Sequence, residues 1–127
     1  MSRLVSNGII IFDQITVYDP ANSYDRVGGL SNTDFTLNLF ANNEKLSWSL
    51  EDGSSILSAN ISPGSIYIEE ITGATGYYSI RWFPDRVGYW MLSLVYTGNG
   101  MEIIREYDVM PSNFFPNSNS GLISSFT

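Results

Sequence analysis

The chain contains no cysteine and no histidine. Without cysteine there is no disulfide, no thiolate nucleophile and no cysteine-ligated zinc. Without histidine, the side chain that most often acts as a general base near neutral pH is missing, and so is the commonest metal ligand. Ser-His-Asp and Cys-His catalytic arrangements are therefore excluded. No GxxxxGK[ST] or GxGxxG motif occurs, so the usual cue for cradling a phosphate is absent. Positive charge is scarce as well: 6 basic residues stand against 13 acidic ones, for a net charge of −7. Such a surface repels a nucleic-acid backbone and an anionic membrane. Long apolar runs are lacking, and none approaches the length of a bilayer-spanning helix. The opening MSRLVSNGIIIFDQ is not expected to be a signal peptide, because its apolar run from Gly8 to Phe12 is short and meets Asp13. Synthesis in a cytoplasm is the expectation.

What is present fits one domain. The 127 residues are 43% apolar and 14% aromatic, enough to fill a single core. Helical periodicity is hard to find. Short runs rich in Ile, Val, Tyr, Phe, Trp and Thr recur between clusters of Gly, Pro, Asn, Asp and Ser, which is the spacing of an all-β chain. In residues 9–18, Ile9, Ile11, Asp13, Ile15 and Val17 share one face, with Asp13 as an interruption that suggests a bulge or bend. Residues 19–33 are dense in turn formers and read as a loop. Strands are expected over 34–42 and 46–50, then near 56–61 and 66–71, with a turn at Asp52-Gly53.

The strongest patterning lies in residues 77–109. Tyr78, Ile80 and Trp82 alternate with polar partners, and Trp90, Leu92, Leu94 and Tyr96 share the next face. Residues 97–100 link this run to a third, in which Met101, Ile103, Tyr107 and Val109 share a face with Arg105. The last two runs form a hairpin. Between the first two lies Phe83-Pro84-Asp85-Arg86-Val87-Gly88. Pro84 cannot donate to a ladder, Asp85-Arg86 suits a solvated crossing, and Gly88 permits unusual backbone angles. A strand that ends, crosses an end of the molecule and re-enters the opposite sheet needs this order of parts.

Few residues suggest chemistry. Glu69-Glu70 and Glu51-Asp52 are sequence neighbours, and neighbours on a strand point to opposite faces. Glu102, Glu106 and Asp108 read as a solvated strand face. Asp13, Asp19, Asp25 and Asp34 bracket a long loop with Asn22 and Asn32, which raises calcium, but without EF-hand spacing and in residue types that also form ordinary turns. Tyr77, Tyr89, Trp48, Trp82 and Trp90 raise stacking on sugar rings. Trp82 and Trp90, however, are in phase with core positions. No catalytic, cofactor or metal residues are assigned.

Residues 111–127 differ in character, with Pro111, Pro116 and a Ser/Asn run beside Phe114, Phe115, Leu122, Ile123 and Phe126. Linkers rarely carry so many large apolar groups, which are a liability in water. The segment reads as an extended arm whose five apolar side chains either fold back on their own sandwich or, as the favoured reading, dock on a partner subunit.

The segments GYYSIRWFPDRVGYWMLSLVY and GLSNTDFTLNLF resemble strands of small, cysteine-free immunoglobulin-like modules in tailed-bacteriophage virion proteins. The absence of cysteine also points to a bacterial or viral source, because secreted animal sandwiches of this size often carry a disulfide. The resemblance covers roughly residues 80–110 and 29–41 and carries over no functional residue. It implies an Ig-like antiparallel β-sandwich of about seven to eight strands over residues 1–110, followed by the arm at 111–127. It also implies a non-enzymatic virion component (capsid decoration, neck or tail) that binds other virion subunits or copies of itself in a ring or shell. The alternative is a carbohydrate-binding module on an adhesion device.

Overall fold

The computed structural model describes residues 2–53 and 61–112. One sheet has the order β1-β11-β10-β5-β6, formed by Arg3–Ser6, Glu102–Met110, Gly88–Tyr96, Phe35–Ala41 and Glu44–Leu46. The other has the order β2-β9-β8-β7, formed by Ile11–Thr16, Tyr77–Trp82, Ser65–Glu70 and Ser49–Asp52. A two-residue hairpin, β3 (Tyr18–Asp19) with β4 (Asp25–Arg26), projects from the connection between the sheets.

The central triplets β5-β10-β11 and β2-β9-β8 are antiparallel, and consecutive strands repeatedly change sheet. β1 runs parallel to β11, the last strand among the described residues, before the chain crosses to β2 in the opposite sheet. This is the connectivity of an Ig-like Greek-key sandwich. Among the described residues the two sheets carry nine strands, slightly more than expected from the sequence. The excess arises at β1, not expected from the sequence, and at residues 46–50, expected as one strand: pairing stops after Leu46 and resumes at Ser49 in the other sheet. Trp48 marks that crossing. β7 and β8 pair in parallel, which excludes a tight hairpin between them. The strand expected near 56–61 falls almost wholly outside the described residues. Ile61 at its end is buried.

The interior follows the period-2 pattern. Trp82, Trp90, Tyr78, Ile80, Leu92, Leu94 and Tyr107 are fully enclosed. Each such large side chain stabilises the fold by about 1.5–3 kcal/mol through the area it removes from water. Trp48, Trp82 and Trp90 form a cluster, with the Trp48 ring edge-on to the other two at centroid distances of 6.1 and 5.5 Å. Ile9 departs from expectation. The strand starts only at Ile11, and Ile9 is 59% exposed.

The 83–87 corner crosses from β9 in one sheet to β10 in the other. Trp90 Nε1 donates to the Arg86 carbonyl at 3.0 Å, fixing the first inward ring to the corner itself. Gly88 has φ +128°, and an added Cβ would run into the Asn42 amide. That amide is a staple: Oδ1 accepts from Tyr89 N at 3.1 Å and Nδ2 donates to the Val87 carbonyl at 3.2 Å.

Candidate interaction surfaces

Asp13 does not bulge its strand. Residues 11–16 pair with 77–82 without interruption, so the Asp13 side chain keeps the inward phase of Ile11 and Ile15. It is tolerated there because it meets a donor from the other sheet, the Tyr107 hydroxyl, at 2.7 Å. Burial, with the hydrogen bond to Asp13 added, pushes the Tyr107 phenol far above its ordinary value. Arg3 and Arg105 flank the same carboxylate at 3.9 and 3.8 Å. Both guanidinium groups also donate to backbone carbonyls of the β2 edge strand, Arg3 to Phe12 at 2.7 Å and Arg105 to Gln14 at 3.1 Å. The edge is thereby closed to another strand by charged side chains.

Other acids have separate local partners. Asp19 accepts from Ala21 N, and Asp34 accepts from Ser31 N. Glu69 pairs with Arg81, whereas Glu70 accepts from Gly29 N and Gly76 N at 2.9 and 3.0 Å. Glu102 accepts from Ser93 Oγ at 2.6 Å. Among the described residues, no three acidic side chains converge as a metal would require. The Asp19 and Asp34 carboxylates of the 19–34 loop serve turn capping instead.

The aromatic residues divide clearly. Trp82 and Trp90 are enclosed and present no face to a ligand. Trp48 packs on both. Tyr89 lies on the outer face of the five-stranded sheet, opposite Asp108, with Met91 opposite Phe40. Partial desolvation raises the Tyr89 phenol, and Glu106 and Asp108 add to the rise. Phe114, Phe115, Leu122, Ile123 and Phe126, the expected docking residues, lie outside the described residues.

Two surfaces were not anticipated. At one side, Leu4, Ile9 and Phe12 are at least half exposed, and they surround the crossing from β1 to β2. β1 is an edge strand there, with no partner on its outer side among the described residues. The last described residues emerge beside it, since Met110 is in register with Ser6 and accepts from Asn7 N at 2.8 Å.

The second is a cleft of about 700 Å³ between the β3–β4 hairpin and the turn from β8 to β9, lined by Tyr24, Asp25, Arg26, Gly73, Ala74, Thr75 and Tyr77. Its walls are tied together. Glu70 clamps both connections, and the Tyr78 hydroxyl donates to the Val27 carbonyl at 2.7 Å while accepting from Leu30 N at 3.2 Å. Ser23 and Tyr24 both have left-handed backbones, with φ of 59° and 58°. A bulky residue is rarely placed there, and each such position costs on the order of 1 kcal/mol.

The strand order defines an Ig-like β-sandwich. No protein-family model matches the chain, and no curated protein does. Among solved structures the chain is similar to a titin M3 domain, at 16% identity over 85% of this chain and 86% of that chain, with a TM-score of 0.37.

Proposed function

We propose that this protein is a non-enzymatic structural subunit that acts by protein–protein assembly. The observation that carries the reading is the β1 edge, unpaired among the described residues, with exposed Leu4, Ile9 and Phe12 around it. An unpaired edge beside apolar side chains suits addition of an extended segment from a neighbour: backbone pairing supplies affinity and the side chains supply fit. The departing C-terminal segment, residues 111–127, carries the complementary features. It holds Phe114, Phe115, Leu122, Ile123 and Phe126 and no charged residue, so the acidic bodies do not oppose its docking. The setting we propose is a virus particle, as capsid decoration, neck or tail component of a tailed bacteriophage, with subunits joined in a ring or shell. That part rests on the sequence resemblance of residues 29–41 and 80–110.

Deletion of residues 111–127 tests the reading. The truncated chain is expected to keep its melting temperature and to lose co-sedimentation with particles. Undiminished incorporation would overturn it.

A further inference from the structure

We propose that the cleft between the β3–β4 hairpin and the 71–76 turn is a binding site for a neutral oligosaccharide, separate from the assembly surface. The two lie at opposite ends of the sandwich. Gly88, Val109 and Ser6 mark the end where the C-terminal segment departs, and Tyr77, Thr16, Phe35 and Tyr96 mark the other. The cleft stands on the second.

Three observations point to a ligand. First, Tyr24 is 68% exposed although its backbone is left-handed, a position that glycine or asparagine fills with less strain. The fold gains little buried area from that ring. A flat aromatic face held outward on a constrained loop is what stacking on a sugar ring requires. Second, Asp25 and Arg26 both line the cleft, and neither makes a side-chain hydrogen bond or ion pair among the described residues. Arg26 only lies over the Tyr77 ring, 4.9 Å from its centroid. A free acceptor and free donors within one lining match hydroxyl groups, each of which both donates and accepts. Third, the floor is Gly73, Ala74 and Thr75, without a large aliphatic side chain. An apolar anchor from a protein partner would find no pocket to fill. The net charge of −7 disfavours an anionic ligand at long range, which selects an uncharged saccharide.

The whole chain, labelled with nitrogen-15, is titrated with neutral pentasaccharides of glucose, galactose, mannose and N-acetylglucosamine, and with a glucuronate oligomer. At least one neutral sugar is expected to give saturable amide shifts at Gly73, Ala74 and Thr75. Tyr24→Asn, which suits the left-handed backbone, should weaken that binding at least tenfold without lowering the melting temperature. Arg26→Gln should weaken it independently. The inference is overturned if no neutral sugar gives saturable shifts up to about 10 mM. It is also overturned if the shifts map elsewhere, if only the glucuronate binds, or if Tyr24→Asn leaves the affinity unchanged. Loss of particle incorporation on deleting 111–127 is read separately, so either proposal can fail alone.

Discussion

The hydroxyl of Tyr107 on β11 donates to Oδ2 of Asp13 on β2 at 2.7 Å, and so joins the two sheets through a polar contact at the margin of the apolar interior. Removing that hydroxyl with Tyr107→Phe leaves the carboxylate without its closest donor. A hydrogen bond to a charged group contributes about 1.5–3 kcal/mol, and urea denaturation should show a loss in that range. A loss under about 0.5 kcal/mol would mean that Arg3 and Arg105 hold Asp13 without it.

The same phenol makes stability depend on alkaline pH. Its folded value is raised by burial and by Asp13, so the unfolded chain releases this proton first. The contribution is fully present below the ordinary tyrosine value and is lost as pH rises above about 10, at about 1.4 kcal/mol per pH unit. Denaturation midpoints across that window should fall less steeply in Tyr107→Phe than in the parent. Parallel curves would show that the folded phenol ionises as the unfolded one does.

Gly88→Ala combines backbone strain at φ +128° with a collision against the Asn42 side chain. The expected cost is about 3 kcal/mol, and the hairpin amides nearby should exchange faster. In an Asn42→Gly background the collision is gone, and Asn42 already has φ 53°, which glycine accepts. The same substitution should then cost about half as much, a non-additivity measurable in a double-mutant cycle. Full additivity would place the cost in the backbone alone.

Trp48→Ala removes a ring packed edge-on against Trp82 and Trp90, not a ligand platform. A loss of about 3 kcal/mol of stability is expected, with binding of any saccharide unchanged once the folded fraction is corrected for.

Arg3 and Arg105 cover carbonyls of the β2 edge. Arg3→Gln with Arg105→Gln makes the chain two units more negative, which by itself opposes association. Sedimentation velocity should nevertheless show increased self-association, because the strand edge beside Phe12 is uncovered. A strictly monomeric double variant would show that the edge is protected by other means.

Residues 77–109 were legible because nearly every position obeys the period of two, and because Pro84 and Gly88 interrupt it at one place. Trp82, Trp90 and Leu92 are sealed between the sheets as that pattern requires. The break at Trp48 was not legible. LSWSL alternates like a strand, and only the positions of two other indoles explain why the chain changes sheet there. Asp13 looked like a bulge because its partner lies 94 residues away, and local patterning is blind to such pairs. The cleft was hidden for the same reason. Tyr77 was singled out as an aromatic residue, but Tyr24 was not, since nothing in PANSYD announces a left-handed tyrosine. The 24–26 and 73–77 stretches are 47 or more residues apart in the chain and meet through tertiary contacts, Arg26 lying over the Tyr77 ring and Glu70 tying the Gly29 and Gly76 backbones.

The end-to-end arrangement of the sandwich has a geometric result. β10 runs nine residues from the Met110 end to the Tyr24 end, roughly 27 Å. Copies fastened at the first end would hold their hairpins outward as a layer of identical, evenly spaced tips. A receptor-bearing surface touching that layer would engage many tips at once, and millimolar grip at each would sum to durable attachment without any single tip needing to be strong.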